Sequence, residues 1–349
     1  MSDSDAAERG SRVDGARTLT RRQALAGLGL GATGLGGFEA LDNVFLGYGV
    51  LVGTNLRSQP LGRFASAALE ASDTAMPADE YRVAVAGSDV VVTRGDERVA
   101  TAPVGDVDAA RSVDAANDLP GSPVAELAAD VAALRAGEFE FAFSQYPTLF
   151  DRTRAAESRP RTVGALRGPR FEALSDSLVR ALAGASPAAP RAVLEGLVDG
   201  FREYTSYDVP RYLAGAVEDN VLLGAVDLRR HFTSPTSAEA IVEGRNTGLF
   251  CYTFAHRAIE CLHAAAATAQ TPPVFGGVVT DHRHKHAYNA VGTVVREDGE
   301  LVVPVTFVDY THSTLYDDLH LRGLLGEGLK AYDDRHRTDG IYWNRYARV

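Results

Sequence analysis

The chain has 349 residues, of which 45% are hydrophobic and 23% charged, and a formal net charge of -11. This length and composition suit one large or two modest globular domains with a substantial core. The acidic balance argues against a nucleic-acid-binding surface, which needs clustered lysine and arginine.

Lysine is almost absent from the chain. Only Lys285 and Lys330 occur, so arginine supplies the other 33 of the 35 basic residues. An acidic, lysine-poor composition resembles that of haloarchaeal proteins, in which salt screens the repulsion between surface carboxylates. A genome of high GC content gives a similar bias, so both origins stay open.

Residues 1–37 carry a sequence pattern that resembles a twin-arginine export signal. Arg21 and Arg22 precede an apolar, glycine-rich run that ends at Gly37. The run is shorter than the ~20 residues that cross a bilayer. We therefore expect export, with the segment either cleaved late or kept as a membrane anchor. The alternative is a glycine-rich arm with a chance pair of arginines.

Residues 38–123 are predicted to form a small β-rich region followed by a linker. Two runs, 81–86 and 90–93, flank a Gly-Ser-Asp turn and predict a hairpin. A third run at 98–104 extends it to a β-meander. The stretch 106–123 is rich in Asp, Ala, Ser and Pro, which predicts a loop.

Residues 124–349 are predicted to form the catalytic domain. Apolar residues at helical spacing predict helices at 124–135, 171–183, 190–204 and 212–228. The basic stretch 160–168 is predicted to be irregular. Helices come first, a cysteine-bearing helix follows, and strands come last, which predicts an α+β fold.

The two cysteines lie on one predicted helix. Cys251 and Cys261 would be ~15 Å apart at 1.5 Å rise per residue, which is too far for a disulfide. A short helix at 237–243 comes before them, and Asn246 or Thr247 can cap the next helix. Cys251 then lies in the first turn, where free N–H groups favour a thiolate and can hold an oxyanion.

Cys261 lies among apolar neighbours in the middle of that helix, so we expect an inert core thiol. The alternative for Cys251 is the same fate, because a free cysteine is commonly buried as a small hydrophobe.

A histidine and an aspartate belong to the two strands that follow. His286 comes at the start of a strand-like run that continues over 288–295, and Asp309 ends the next run, 301–309. If the two runs form an antiparallel pair, both residues lie at the same end of the sheet.

The loop between the two strands sets their register. A four-residue loop at 296–299 places His286 directly opposite Asp309, whereas a two-residue turn at 298–299 places them diagonally. Both registers put the two side chains on one face of the sheet. A β-bulge at Pro304 would reverse this.

Nucleophile, base and orienting acid are what covalent acyl transfer needs. Cys251 would attack an acyl carbon, His286 would move the proton, and Asp309 would hold the imidazole. Asp317 and Asp318 are alternative acids, but they lie beyond the strand in a polar turn. This chemistry requires no metal and no organic cofactor.

The motifs around these residues resemble those of the transglutaminase-like superfamily. The matching segments are Cys251 with Ala255, His286-Ala287-Tyr288 for His-Ala-Trp, Val308-Asp309-Tyr310-Thr311 for Val-Asp-Pro-Thr, and the strand Gly276-Gly277-Val278-Val279. Gly248 departs from the family pattern by standing one residue further from the cysteine, and two positions carry tyrosine where the family has Trp and Pro.

The resemblance covers about residues 235–312 and implies a papain-like core, with a cysteine-bearing helix packed on an antiparallel sheet. It also implies thiol acyl chemistry on amides of a protein or peptide substrate, as a peptidase, amidase or cross-linking enzyme. It does not choose among these three. Some members of the family have lost activity.

Two other functions stay open. One is an inactive surface or interaction protein that uses the fold as a scaffold. The other is a metal-binding hydrolase, because His282, His284 and His286 alternate along a predicted strand, with His256, His263 or Cys251 as further ligands. The competing interpretation of the three histidines is a solvated strand edge. The segment 321–349 is predicted to pack on the core, and the oligomeric state is left open.

Overall fold

Helices and mainly antiparallel strands make up an α+β fold in the computed structural model. It describes residues 69, 75–144, 146–167, 174–208, 210–211, 214, 236–244, 247–281, 286–311 and 340–342. The predicted export segment lies outside the described residues. So do most of the predicted helix at 212–228, the acids Asp317 and Asp318, and the segment 321–349 apart from 340–342.

The described helices are α1 (Val107–Ala116), α2 (Pro123–Ala136), α3 (Tyr146–Ala155), α4 (Pro160–Leu166), α5 (Asp176–Ala183), α6 (Pro190–Tyr204), α7 (Ala238–Gly244) and α8 (Cys251–His263). The described strands are β1 (Met76–Ala78), β2 (Tyr81–Ala86), β3 (Asp89–Arg94), β4 (Glu97–Pro103), β5 (Glu140–Phe143), β6 (Glu157–Ser158), β7 (Thr205–Tyr207), β8 (Thr247–Leu249), β9 (Phe275–Asp281), β10 (His286–Gly292), β11 (Val295–Glu297), β12 (Glu300–Val308) and β13 (Gly340–Tyr342).

The predicted β-meander is confirmed and has one more strand than expected. β1 to β4 pair antiparallel in chain order. Gly87 and Gly95 turn the chain between these strands at positive φ angles of 60° and 59°, which glycine adopts without strain. Alternate residues of β2 are buried, which is the pattern of a strand with one face on a core, whereas the central β3 buries three consecutive valines.

The prediction of a loop over 106–123 was wrong, because this stretch contains α1. The carboxylate of Asp106 caps α1 by accepting the N–H of Ala109 at 2.9 Å. Asp114 is buried and accepts the N–H groups of Val124 and Ala125 at 3.0 and 2.9 Å, at the start of α2. The acidic residues that suggested a loop therefore stabilise helix ends.

The stretch 160–168 was also predicted incorrectly. It contains α4, with Pro160 at the first helical position, where its fixed φ is favourable and its missing N–H costs nothing. The helices predicted at 124–135 and 190–204 are confirmed as α2 and α6, and the short helix before Cys251 is confirmed as α7.

The second sheet carries the predicted histidine and aspartate strands. β10 and β11 both pair with β12, and the register is continuous between them. The N–H of Thr293 donates to the carbonyl of Pro304 at 3.1 Å where β10 gives way to β11. On their other edges, β10 pairs with β9 and β11 pairs with β6. β13 pairs in turn with β9. β5 runs parallel to β12.

Two groups of buried side chains cover the two faces of this sheet. Tyr288, Ala290 and Phe307 belong to a cluster that also contains side chains of the meander, α1, α2 and α4. Val291 and Val308 belong to the opposite cluster, with α5, α6 and α8. The first cluster therefore joins side chains from both sides of residue 123, the predicted domain boundary.

Candidate functional site

Cys251 is the first residue of α8, and Phe250 before it has extended backbone angles, φ -104° and ψ 164°. The N-cap residue is Phe250, whose side chain makes no capping hydrogen bond. Thr247, one of the two residues predicted as possible caps, belongs to β8 instead. Asn246 lies outside the described residues. The expected position of Cys251 in the first turn is confirmed. Backbone N–H groups of a first turn have no partner within the helix.

The thiol of Cys251 packs against the sheet. The residue is 7% exposed and forms a cluster with Ala255, Ile259, Val278 and Ala287. Ala287 directly follows His286 in β10. The start of α8 therefore lies against β9 and β10 at the end where β10 begins.

His286 and Asp309 reach the same end of the sheet from opposite directions. His286 is the first residue of β10, with its backbone paired to Asp281, and Asp309 directly follows the last residue of β12. Because β10 and β12 are antiparallel, the start of one lies beside the end of the other. The structure describes the backbone of His286 but not its side chain.

The two-residue turn is the register that the structure adopts. Glu297 pairs with Glu300 across Asp298 and Gly299, whose φ angles of 51° and 88° suit a type I′ hairpin turn. The same register continues past Pro304 without a bulge. The last pair is Asn289 with Val308, so Asp309 lies one position beyond it.

Asp309 is fully buried and its carboxylate is held by the backbone. One oxygen, Oδ1, accepts the N–H of Thr311 at 3.0 Å, at the start of a helical turn. The ring of Tyr310 is buried against Phe201, and its hydroxyl donates to the carbonyl of Leu194 at 3.0 Å. These contacts fix the backbone on the far side of Asp309.

A polar residue that the sequence reasoning missed joins β10 to α8. Asn289 is fully buried, and its Nδ2 donates to the carbonyl of Ala255 at 2.8 Å, one turn after Cys251. Its Oδ1 has no hydrogen-bond partner among the described residues. The signal in the sequence is an amide in an otherwise apolar strand, which implies a specific partner in the core.

The segment before Cys251 is held by a short parallel pair of strands, β7 and β8. The N–H of Asp208 donates to the carbonyl of Leu249 at 3.0 Å. A side chain at Gly248 would place its Cβ 3.2 Å from atoms of Asp208, closer than ordinary contact. Glycine at this position therefore lets β8 approach β7 and sets the direction in which the chain enters α8.

Two aromatic rings extend the site toward solvent. Tyr252, next to Cys251, is 54% exposed, and its ring lies 4.1 Å from that of His256 on the next turn. A large exposed ring therefore directly follows the buried thiol in the chain.

Cys261 differs from Cys251 in its surroundings. Burial, followed by the nearby Glu260 carboxylate, raises the pKa of its thiol to about 12. At neutral pH this group stays protonated, so the predicted inert role fits.

The histidine-rich metal site is tested only in part, since His282 and His284 lie outside the described residues. Burial, followed by the charge of Arg167, lowers the pKa of His263 well below its ordinary value. Its Nε2 accepts the N–H of Gly276 at 2.9 Å. Among the described residues, no group of three or more metal-ligating side chains comes together.

Comparison of the chain with protein-family models, with curated proteins and with solved structures finds no match in any of the three. In the part of the chain that the structure describes, no helix combines the length and the apolar character needed to cross a membrane.

Proposed function

We propose that this chain is a cysteine acyl-transfer enzyme of transglutaminase-like type, with a papain-like core, acting on amide bonds of a protein or peptide substrate. Cys251 is the nucleophile, His286 the general base and acid, and Asp309 the residue that orients the imidazole. The observation that carries the proposal is the packing of Cys251, at the start of α8, on Ala287 beside His286.

The first half-reaction forms a thioester. Sγ of Cys251 attacks the amide carbon while the imidazole of His286 accepts the thiol proton. The C–N bond then breaks, and the imidazolium returns the proton to the departing amine. Since Ala287 faces Cys251, this requires the imidazole of His286 to reach the thiol around the end of β10.

The second half-reaction releases the acyl group. Water attacks the thioester in hydrolysis, or an amine attacks it in transfer. His286 takes a proton from the attacking group and gives one to the sulfur as the C–S bond breaks. Asp309, buried and held by Thr311, favours the charged imidazolium throughout.

Charge on the substrate oxygen develops beside the first turn of α8. The N–H groups of a helix start point outward along its axis and carry the positive end of the helix dipole. They suit an oxyanion hole, whose donors are typically worth 10²–10³-fold in rate.

The expected site of action is outside the cytoplasm. The arginine pair and apolar run within residues 1–37 support export of the folded chain by the twin-arginine route, to the cell surface or beyond. Replacing both Arg21 and Arg22 by lysine should leave the protein in the cytoplasmic fraction. Unchanged export in that variant would contradict this part of the proposal.

An activated ester tests acyl transfer without knowledge of the substrate. p-Nitrophenyl acetate should acylate Cys251 and release one equivalent of p-nitrophenolate in a burst, with the acetyl group found on Cys251 by peptide mass spectrometry. Cys251→Ala should abolish the burst, and His286→Ala should slow acylation by ~10²-fold or more. Cys261→Ala is the matched control and should keep the burst.

A burst that survives in Cys251→Ala would overturn the proposed nucleophile. Absence of a burst in the wild-type chain, together with normal folding of every variant by circular dichroism, would favour an inactive scaffold that acts by binding.

A further inference from the structure

Arg211 lies over the ring of Phe250, the residue directly before the proposed nucleophile Cys251, and its Cζ is 4.5 Å from the centre of that ring. Among the residues that the structure describes, none accepts a hydrogen bond from its buried Nε and none forms an ion pair with its guanidinium. Its backbone N–H donates to Oδ1 of Asp208 at 3.0 Å.

The other arginines that lie over aromatic rings differ from Arg211. Arg94 lies 5.7 Å from the Tyr81 ring and is paired with Glu80. Arg191 lies 5.6 Å from the Phe150 ring and is paired with Glu195. Of the described arginines over rings, Arg211 thus has the closest ring and lacks a neutralising carboxylate.

The position of Arg211 is fixed by contacts that leave its charge available. Phe250 is held against Tyr207, with ring centres 6.3 Å apart, and β7 pairs with β8 just before it. A guanidinium that contacts a ring through its face still presents its N–H groups at its edge. Those N–H groups match the two oxygens of a carboxylate.

Asp208 is a neighbouring charge that would oppose an anionic ligand. Its Oδ1 accepts the backbone N–H of Arg211, and its carboxyl lies against Gly248. It therefore caps the backbone and forms no ion pair with the guanidinium. As far as the described residues go, an anion can approach Arg211 without displacing an ion pair.

We propose that Arg211 is a specificity residue that binds a carboxylate of the substrate next to the amide attacked by Cys251. The inference rests on the proposed function and adds a substrate class to it, peptides with a carboxylate close to the reacting amide. The net charge of -11 repels anions at long range, so acceptance of such a substrate needs a local cation.

Two small alkylating reagents test the charge preference on Cys251 itself. Iodoacetate carries a carboxylate, and iodoacetamide is its neutral analogue of nearly the same size. Rates at Cys251 are measured in the full chain and divided by the corresponding rates for free cysteine. The normalised preference for iodoacetate should be about tenfold, a typical effect of a charge-assisted hydrogen-bonded pair.

Variants assign that preference to Arg211. Arg211→Gln should lower the normalised preference to about one-tenth of the wild-type value while leaving the iodoacetamide rate unchanged. Arg211→Lys should retain part of the preference for iodoacetate. Arg191→Gln is the matched control, an arginine that also lies over a ring but is paired with Glu195, and it should change neither rate. Because a salt-sensitive contact is involved, the preference should also shrink in molar salt.

Peptide competitors distinguish the two sources of carboxylate. Protection of Cys251 from iodoacetamide is compared for acetyl-Ala-Glu-amide, acetyl-Ala-Ala with a free C-terminus, and the neutral acetyl-Ala-Ala-amide. Stronger protection by the first indicates an acidic side chain, and by the second a C-terminal carboxylate. Equal protection by all three would overturn the proposal.

The outcomes separate this inference from the function on which it rests. A preference for iodoacetate that persists in Arg211→Gln would belong to another cation, such as the His286 imidazolium, and would overturn the role of Arg211 alone. A Cys251 that reacts with neither reagent faster than free cysteine would contradict the proposed nucleophile instead.

Discussion

Single residues on α8 show how burial separates side chains of the same type. Cys251 lies at the helix start against the sheet, while Cys261 is enclosed ten residues later and keeps its proton. His256 lies beside the exposed Tyr252, whereas the half-buried His263 accepts a backbone N–H.

The half-buried His263 predicts a loss of stability in acid. Its pKa in the folded chain is below the ordinary 6.5, chiefly because of burial, so the unfolded chain binds the extra proton more readily. The stability contributed by the neutral imidazole is fully present above pH 6.5 and declines as pH falls toward the folded-state pKa. Between pH 7.5 and 5.5 the wild type should lose about 1 kcal/mol more than His263→Gln.

Urea unfolding at the two pH values measures this difference. Gln is chosen because its side-chain oxygen can still accept the N–H of Gly276. Equal losses in the two proteins would show that His263 does not carry the linkage.

Among the elements, α5 and α6 pack so closely that their backbones are in contact. A side chain at Gly196 would overlap the carbonyl of Ala183, and one at Gly200 would overlap the carbonyl of Leu182. Both glycines lie inside a helix, where alanine is normally favoured. The backbone contact therefore accounts for glycine at these positions.

Gly200→Ala should destabilise the protein despite the better helix propensity of alanine. The propensity gain is ~1 kcal/mol, while overpacking against a backbone carbonyl forces the helices apart and costs typically 1–3 kcal/mol or more. We expect a net loss of about 1–2 kcal/mol in urea unfolding. Glu203→Ala, on the exposed side of the same helix, should change stability little.

An increase in stability on Gly200→Ala would mean that α5 and α6 are not in this close contact. No change in either variant would mean that the gain in propensity and the steric cost cancel, which also contradicts the expected net loss.

Local signals in the sequence account for much of the element order. Pro190 at a helix start and the apolar spacing after it gave α6, and the Asp298-Gly299 turn was one of two registers considered for the hairpin. Pairing fixed by distant segments was not predictable, since β5 runs parallel to β12 across more than 150 residues of chain. The loop prediction over 106–123 failed because Asp106 caps a helix there, whereas the acidic composition predicted a loop.

The backbone positions around the candidate site followed in part from the sequence, but their tertiary contacts did not. The first-turn location of Cys251 follows from local pattern, and the hairpin register is one of the two that the sequence left open. The contacts of Asn289 with Ala255 and of Arg211 with Phe250 join segments that sequence spacing does not relate. Such contacts depend on tertiary packing, which no single-segment pattern encodes.

Across the whole molecule, a buried charge network joins the N-terminal helices to the sheet. Asp130 of α2 is fully enclosed and bonds Arg159, Arg296 and Thr162 at 2.8, 2.7 and 2.6 Å. Arg159 precedes α4, and Arg296 belongs to β11. The chain has 46 acidic residues, and Asp130 is one whose side chain links three segments of the fold.

Asp130→Asn should strongly destabilise the fold. It removes the negative charge between two mostly enclosed guanidinium groups, and breaking a buried pair typically costs 3–5 kcal/mol. We expect a loss of about 3 kcal/mol in urea unfolding, since Glu126 and Glu157 still contact Arg159. Asp108→Asn, which breaks an exposed pair with Arg111, is the control and should have no measurable effect.

A small effect of Asp130→Asn, similar to that of the control, would indicate that solvent reaches the network. The three segments would then be held by apolar packing alone.

The reactivity of Cys251 tests the central claim most directly. In a Cys261→Ala background, iodoacetamide alkylation at pH 7 reports on one thiol, compared with free cysteine under the same conditions. We expect Cys251 to react faster than free cysteine, and we expect His286→Ala to remove this advantage and Asp309→Asn to reduce it. A thiol no faster than free cysteine, with a rate that His286→Ala leaves unchanged, would show that Cys251 is not an activated nucleophile.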